Sequence, residues 1–301
     1  MAFLSGYMEG EKQDTAKRML AVTQPRDPPQ AVAPKLSART SPVLGMTLKA
    51  VLFDIEGTLA IGGRPLPGAV EAVALGRKAG LDVRFLTNIS GRTPAMLCAE
   101  LRGMGFALSE HEIHTATSAC VEYLRERTGT RCRLVVPDAV LPMFDGIARD
   151  DEHPDVVVVG DVGSEFNYAL LNGVFRQLRD GAELIALHKG VFWIAADGPR
   201  LDAGAFIVGL EAATRKQALV MGKPSPVFFT KAFDALGVAP GQALVVGDDV
   251  MTDVQGAHGV QAPCALVGTG KYRPGDEERE PRPDHFLATL DGFAALLDGS
   301  R

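Results

Sequence analysis

Asp54 and Glu56 stand two residues apart at the end of an apolar run, Val51-Leu52-Phe53, with Gly57-Thr58 directly behind them. Three residues of buried type that stop at a carboxylate predict a short strand with Asp54 at its tip. In an open α/β sheet that tip borders the crevice where chemistry is done. A carboxylate there can attack a phosphorus atom and can also bind Mg2+, which takes few protein oxygens and keeps several waters. The backbone carbonyl of Glu56 is a candidate second ligand. A solvated turn with an incidental Asp competes with this reading when the stretch is taken alone.

Three further groups follow apolar runs of their own. Thr87-Asn88 end the run 81–86, where a hydroxyl and an amide could donate to phosphate oxygens; an ordinary helix cap or turn is the rival reading. Lys223 lies in Met221-Gly222-Lys223-Pro224, where an ammonium could neutralise both Asp54 and a phosphate. Asp248, Asp249 and Asp253 crowd one loop behind Val245-Val246-Gly247. Like charges that close raise one another's pKa unless a cation offsets them, so a divalent metal is the economical explanation.

These residues need strands to carry them. The pattern predicts strands at 49–53, 81–86, 132–136, 156–159, 184–186, 188–195, 218–221 and 243–246. It predicts helices at 67–78, 93–104, 117–127, 166–179, 203–214, 227–236 and 253–258. Strand–helix–strand repetition means a parallel sheet with right-handed crossovers. The rhythm restarts after residue 128. The expected organisation is therefore a core from 47–128 and 202–301, an inserted α/β domain at 129–201, and a disordered tail at 1–46. The tail holds five prolines and no apolar signal-type run, and Met46 is an alternative start.

Composition narrows the function classes. A hydrophobic content of 46% with mean hydropathy +0.08 provides a sizeable core, and the net charge of −6 argues against nucleic acid or an anionic membrane as partner. No apolar run approaches the ~20 residues needed to span a bilayer. Cys98, Cys120, Cys132 and Cys264 form no Cys-x-x-Cys pair, which suits a reducing cytoplasm better than a disulfide scaffold.

Taken in order, Asp54-Ile55-Glu56-Gly57-Thr58, Thr87-Asn88, Lys223 and Gly247-Asp248-Asp249 with Asp253 resemble the four motifs of the haloacid dehalogenase-like hydrolase superfamily. The long stretch between Thr87 and Lys223 is similar to members with a large α/β cap inserted there (the C2 type). Gly222-Lys223-Pro224, Val246-Gly247-Asp248-Asp249 and Thr269-Gly270-Lys271-Tyr272 resemble the N-acetylglucosamine-phosphatase-like subfamily, IIA. The likeness runs from about Leu48 to the C-terminus.

The resemblance implies a Rossmann-like parallel-sheet core with an inserted cap, and a Mg2+-dependent phosphoric monoester hydrolase acting on a small phosphorylated metabolite. Asp54 would accept the phosphoryl group, Thr87, Asn88 and Lys223 would hold it, and Lys223 would balance charge. Mg2+ would be bound by Asp54, the Glu56 carbonyl and Asp248, with Asp249 and Asp253 as additional ligands or as partners that orient the ligands. Typical phosphatases of the family carry Asp, acting as general acid, where this chain has Glu56. The cap is expected to choose the substrate, with His188, Lys189 and Trp193 as candidates to face it and a solvated Lys with a core Trp as the rival reading, and a homodimer through the cap is a compatible assembly. Three alternatives stay open: an impaired enzyme that binds a phosphorylated ligand, a phospho-accepting receiver, and a metal-free dehalogenase.

Overall fold

The computed structural model describes residues 48–195 and 198–299; the expected tail at 1–46 lies outside the described residues. The chain opens with β1 (Ala50–Asp54), a small hairpin of β2 (Ala60–Ile61) and β3 (Arg64–Pro65), α1 (Ala69–Lys78), β4 (Asp82–Thr87), α2 (Pro94–Gly103), β5 (Ile113–Thr115) and α3 (Ala116–Arg125). Next come β6 (Cys132–Val135), β7 (Val156–Val159), α4 (Tyr168–Arg179), β8 (Glu183–Ala186), β9 (Phe192–Ala195), β10 (Gly198–Leu201), α5 (Ala203–Thr214) and β11 (Leu219–Val220). The last part holds α6 (Pro226–Leu236), β12 (Ala243–Gly247), α7 (Gln255–Gly259), β13 (Cys264–Val267), β14 (His285–Leu287) and α8 (Phe293–Gly299).

Six of these strands form one parallel sheet in the order β14-β13-β12-β1-β4-β5. Strand β1 is buried throughout because both faces of the sheet are covered, which is why its residues run apolar without alternation. Val51 and Phe53 enter one core cluster with α1 and α2, while Ala50 and Leu52 enter the opposite one with Phe228 and Phe229 of α6. Phe53 packs its ring 5.3 Å from that of Phe293, and its full burial is worth on the order of 2–3 kcal/mol. From β1 the chain builds outward through β4 and β5, then returns to the other side of β1 with β12, β13 and β14. Strand order therefore reverses between β1 and β12, and the carboxyl ends of those two strands flank a ligand crevice.

A second parallel sheet has the order β11-β8-β7-β6, and β9 and β10 form an antiparallel pair. Its extent corrects two sequence expectations. Helix α5 was expected to return to the first sheet, yet Ala203, Ile207 and Leu210 pack against Val135, Val157 and Val159 of the second. Strand β11 was placed in the core, yet Leu219 and Val220 pair with Ile185 and Ala186 of β8. Helix α3 is shared, with Ala119 on the first sheet's side and Ala116, Cys120 and Leu124 on the second's. Periodicity marks that a helix has an apolar face but not which sheet covers it.

Local boundaries moved by a residue or two, for identifiable reasons. Thr93 and Asn167 are N-caps whose side chains accept from Met96 N–H (3.3 Å) and Leu170 N–H (3.0 Å). Pro67 precedes α1, whose N-cap is Gly68 in the left-handed region. The expected strand at 188–195 is confined to β9, and the helix expected at 253–258 is a wide π-type turn, Val250–Val254, that runs into α7. Among the described residues no helix is long and apolar enough to cross a membrane.

His114 in β5 is buried and its Nε2 lies 3.1 Å from the Phe228 carbonyl, which assigns the proton to Nε2. Burial pushes its pKa down to about 4, Arg84 adding to the effect against the pull of that carbonyl. The unfolded chain binds a proton near the ordinary value of 6.5, before the folded one does. The stability His114 contributes is thus complete above that value and is lost as pH falls toward 4, by roughly 3 kcal/mol at most. A His114→Gln variant keeps a donor for the carbonyl and should flatten this part of the acid limb. Urea unfolding between pH 7 and 4.5 checks it; an unchanged limb would refute the assignment.

Candidate active site

Asp54 ends β1, and Asp248 and Asp253 follow β12, so the switch point brings together three carboxylates that are distant in sequence. One oxygen from each lies within 4.8 Å of the others, and all three residues are buried. Lys223 Nζ, also buried, donates to Asp54 Oδ1 and to Asp253 Oδ1, the latter at 2.6 Å. The Thr58 hydroxyl sits 3.2 Å from Asp54 Oδ2 and 3.1 Å from Asp248 Oδ1. Asp248 Oδ2 accepts the Lys271 backbone N–H at 2.6 Å, and Asp253 Oδ2 accepts the Asp249 N–H at 3.2 Å.

Two glycines make this spacing sterically possible. Gly57 (φ 97°) and Gly270 (φ 56°) are both left-handed, and a methyl group on either would collide with the Asp248 carboxylate. The Thr269 hydroxyl clamps the two loops by donating to the Gly57 carbonyl at 2.6 Å.

Three acids against one contacting ammonium leave the crevice with excess negative charge. Burial raises the Asp54 pKa to about 7, Lys223 pulling it back and Asp248 pushing further. Asp253 is raised to about 6, again by burial first, and Asp248 is raised by burial and by Asp253. Burial works against the Lys223 ammonium, but Asp253 and Asp54 outweigh it and hold its pKa above the ordinary lysine value. This donor set fits a hard divalent cation: oxygen ligands, close spacing, and a charge deficit that such an ion would remove.

The other expected site residues are placed differently. Asn88 was expected to hold a phosphoryl group; its amide instead brackets the Lys223 backbone, accepting from Lys223 N–H at 2.7 Å and donating to Lys223 C=O at 3.0 Å. Asn88 therefore positions the lysine. Thr87 Oγ1 accepts from Ile89 N–H at 3.0 Å, the turn role weighed for it, which leaves its own proton to donate. Asp249, expected as an additional ligand or as a partner orienting the ligands, stands outside the three-carboxylate group. Its oxygens take Met251 N–H (2.8 Å) and Lys271 Nζ (3.1 Å), and Lys271 with Met251 N–H lowers its pKa although burial opposes them.

Glu56 is exposed overall, and its side chain is likewise outside that group. Its carboxyl has lost enough water to sit above the usual glutamate pKa, against the pull of Arg92 and the Gly62 backbone. Thr58, Thr269 and Lys271 were not singled out for the site. The signal was present, since Val267-Gly268-Thr269-Gly270 repeats the pattern of an apolar run ending in a glycine turn.

The second sheet contributes directly. Lys223 follows β11, and Met221, buried in that sheet's cluster, donates its N–H to Ala186 C=O of β8 at 2.8 Å. His188 is buried with Nε2 3.6 Å from Asp202 Oδ1 and Nδ1 accepting from Gly190 N–H. Lys189, expected to face a substrate, binds both oxygens of buried Glu211 at 2.9 and 2.8 Å. The side chain of Trp193 lies outside the described residues.

A parallel sheet whose switch point gathers an Asp–Lys–Asp set, with a second inserted sheet delivering the lysine, defines a capped α/β hydrolase. Residues 51–147 match the haloacid dehalogenase-like hydrolase family and residues 220–293 its HAD-hydrolase-like counterpart, and the chain belongs to the haloacid dehalogenase-like hydrolases. It is 42% identical to haloacid dehalogenase-like hydrolase domain-containing protein 2 of Homo sapiens, over 83% of this chain and 95% of that protein. It is 39% identical to the human phospholysine phosphohistidine inorganic pyrophosphate phosphatase, over 83% and 94%. The solved 4-nitrophenylphosphatase of Thermotoga maritima superposes with a TM-score of 0.78 at 28% identity, covering 86% of this chain and 99% of that one.

Proposed function

We propose that the protein is a Mg2+-dependent phosphatase that hydrolyses a small phosphorylated metabolite, with Asp54 as the phosphoryl acceptor. The observation that carries this reading is the buried contact of Asp54 with Lys223 beside Asp248 and Asp253. In the first half-reaction an Asp54 oxygen attacks phosphorus, the P–O bond to the leaving group breaks, and Glu56 gives its proton to the departing oxygen. In the second, Glu56 takes a proton from water as the water attacks the aspartyl phosphate, which restores Asp54 and releases phosphate. Lys223 holds charge beside Asp54 in both halves, and the Thr87 hydroxyl donates to the transferred group. Asp54, Asp248 and the Glu56 carbonyl would hold Mg2+, with Asp253 beside them; when bound, the ion supplies countercharge to the phosphoryl oxygens.

The raised pKa of Glu56 suits a group that must be protonated to act as acid near neutral pH. The reading is supported by the phosphatase names of the relatives at 39% and 28% identity. Steady-state hydrolysis of p-nitrophenyl phosphate tests it: turnover should require Mg2+ and vanish with EDTA. Turnover undiminished by EDTA would sink the metal-dependent mechanism.

Glu56 also motivates a second reading, a member of the fold that binds a phosphorylated ligand and turns over poorly. Its carboxyl stands one methylene farther out than the Asp of typical phosphatases in this family. A displacement of about 1 Å at a reacting group can cost on the order of a hundredfold in rate. The expected result for Glu56→Asp is a kcat equal to or above that of the parent. A clear fall in kcat at saturating substrate would contradict this account of position 56.

A further inference from the structure

A second group of ligand-type side chains lies at the other edge of the main sheet. His258 is in the last turn of α7, Cys264 opens β13, and Asp284 immediately precedes β14. The Asp54 crevice is at the carboxyl ends of the strands; this group is at the amino ends of β13 and β14. Each of the three offers one ligand atom, and the three atoms lie within 4.8 Å of one another. His258 Nε2 is 3.4 Å from Cys264 Sγ and 3.1 Å from Asp284 Oδ2.

These separations have a coordination meaning. Zinc bonds of roughly 2.0–2.3 Å to nitrogen, oxygen and sulfur put neighbouring ligand atoms about 3.3–3.6 Å apart in a tetrahedron. The His258–Asp284 and His258–Cys264 distances are close to those edges, and the third pair lies within 4.8 Å. Hydrogen bonds hold the three groups together: His258 Nε2 lies against the Asp284 carboxylate, and the Cys264 thiol against that carboxylate and the same ring nitrogen. A cation receiving a lone pair from each atom would take the place of those hydrogen bonds within the same cluster. Thiolate and carboxylate together carry the charge that balances a divalent ion.

We propose that His258, Cys264 and Asp284 form a Zn2+ site separate from the Asp54 crevice. A soft thiolate with imidazole and carboxylate suits zinc rather than Mg2+, and three protein ligands leave a fourth position for solvent. Access exists, because the His258 and Asp284 side chains are 31% and 23% exposed while Cys264 is buried. The ligand set is already oriented, since Asp284 Oδ2 accepts the Cys264 backbone N–H at 2.9 Å. Burial pushes the Cys264 thiol up to about 12, so binding converts Cys–SH to a metal thiolate and releases one proton. The ion would tie the end of the segment carrying Asp253 to the edge of the sheet.

Titration of the full-length protein with Co2+ tests this, because only a thiolate ligand gives the intense near-ultraviolet charge-transfer band. The all-oxygen Asp54 site cannot produce it. The band should saturate, persist in Asp54→Asn, and bleach when Zn2+ is added. It should be lost in Cys264→Ser, and in His258→Gln the Co2+ concentration needed should rise at least tenfold. His258→Gln alters a partly exposed ring and serves where Cys264→Ser fails to fold. Absence of the band at saturating Co2+, or a band indifferent to both substitutions, would overturn the proposal and leave a hydrogen-bonded triad only.

Discussion

Asp54→Asn is expected to fold at least as stably as the parent and to lose at least about a thousandfold in kcat for p-nitrophenyl phosphate. The substitution keeps shape and volume but removes the nucleophilic oxygen, and losing a covalent nucleophile is among the costliest single changes in an enzyme. Stability should hold because Asp54 is one of two buried acids that share the ammonium of Lys223, with Asp248 beside it, and burial already disfavours its charge. An amide there relieves repulsion with Asp248 and still offers an oxygen to Lys223. The pair of measurements, kcat and thermal midpoint, separates chemistry from folding. Residual turnover within tenfold of the parent would remove Asp54 from the role of phosphoryl acceptor.

Lys223→Met should instead damage both stability and activity. Lys223 is 5% exposed and contacts two buried carboxylates, so its removal leaves those charges uncompensated. Breaking a buried ion pair from one side costs about 3–5 kcal/mol, more than hydrophobic replacement of the stem recovers. The countercharge must then come from the divalent ion, so Mg2+ should raise the midpoint of this variant by more than it raises the parent's. Turnover should fall at least a hundredfold, since charge balance at Asp54 is lost in both half-reactions. A variant with parental stability and turnover would mean that the ammonium is incidental to the crevice.

Much of the fold was legible because its signals are local. Val51-Leu52-Phe53 before Asp54 and Val245-Val246-Gly247 before Asp248 read as buried strands ending in carboxylates, and β1 and β12 stand there. The helices expected at 93–104 and 166–179 are present, with Thr93 and Asn167, placed inside them by the pattern, standing as their N-caps. Strands β13 and β14 were missed. Cys264–Val267 and His285–Leu287 are short and separated by a polar, irregular stretch, so neither stands out until the sheet supplies a neighbour.

The site divides along the same line. Asp54, Lys223, Asp248 and Asp253 were nameable from their types and from the runs that precede them. Their mutual contact follows from which strands become neighbours around β1. Asn88 shows the limit most clearly: its sequence suits a phosphate donor, while its amide is spent on the backbone of a residue that follows β11 in the second sheet.

Sequence alone determined which side chains sit at strand ends and what chemistry they are capable of, because chain-local hydrophobic pattern and turn residues decide where strands stop. Only the tertiary structure decided that Lys223 arrives from the second sheet, that Asp249 turns to Lys271, and that Lys189 is held by Glu211. Those outcomes are settled by competition among partners remote in the chain, each charge pairing with whichever opposite group burial places within reach.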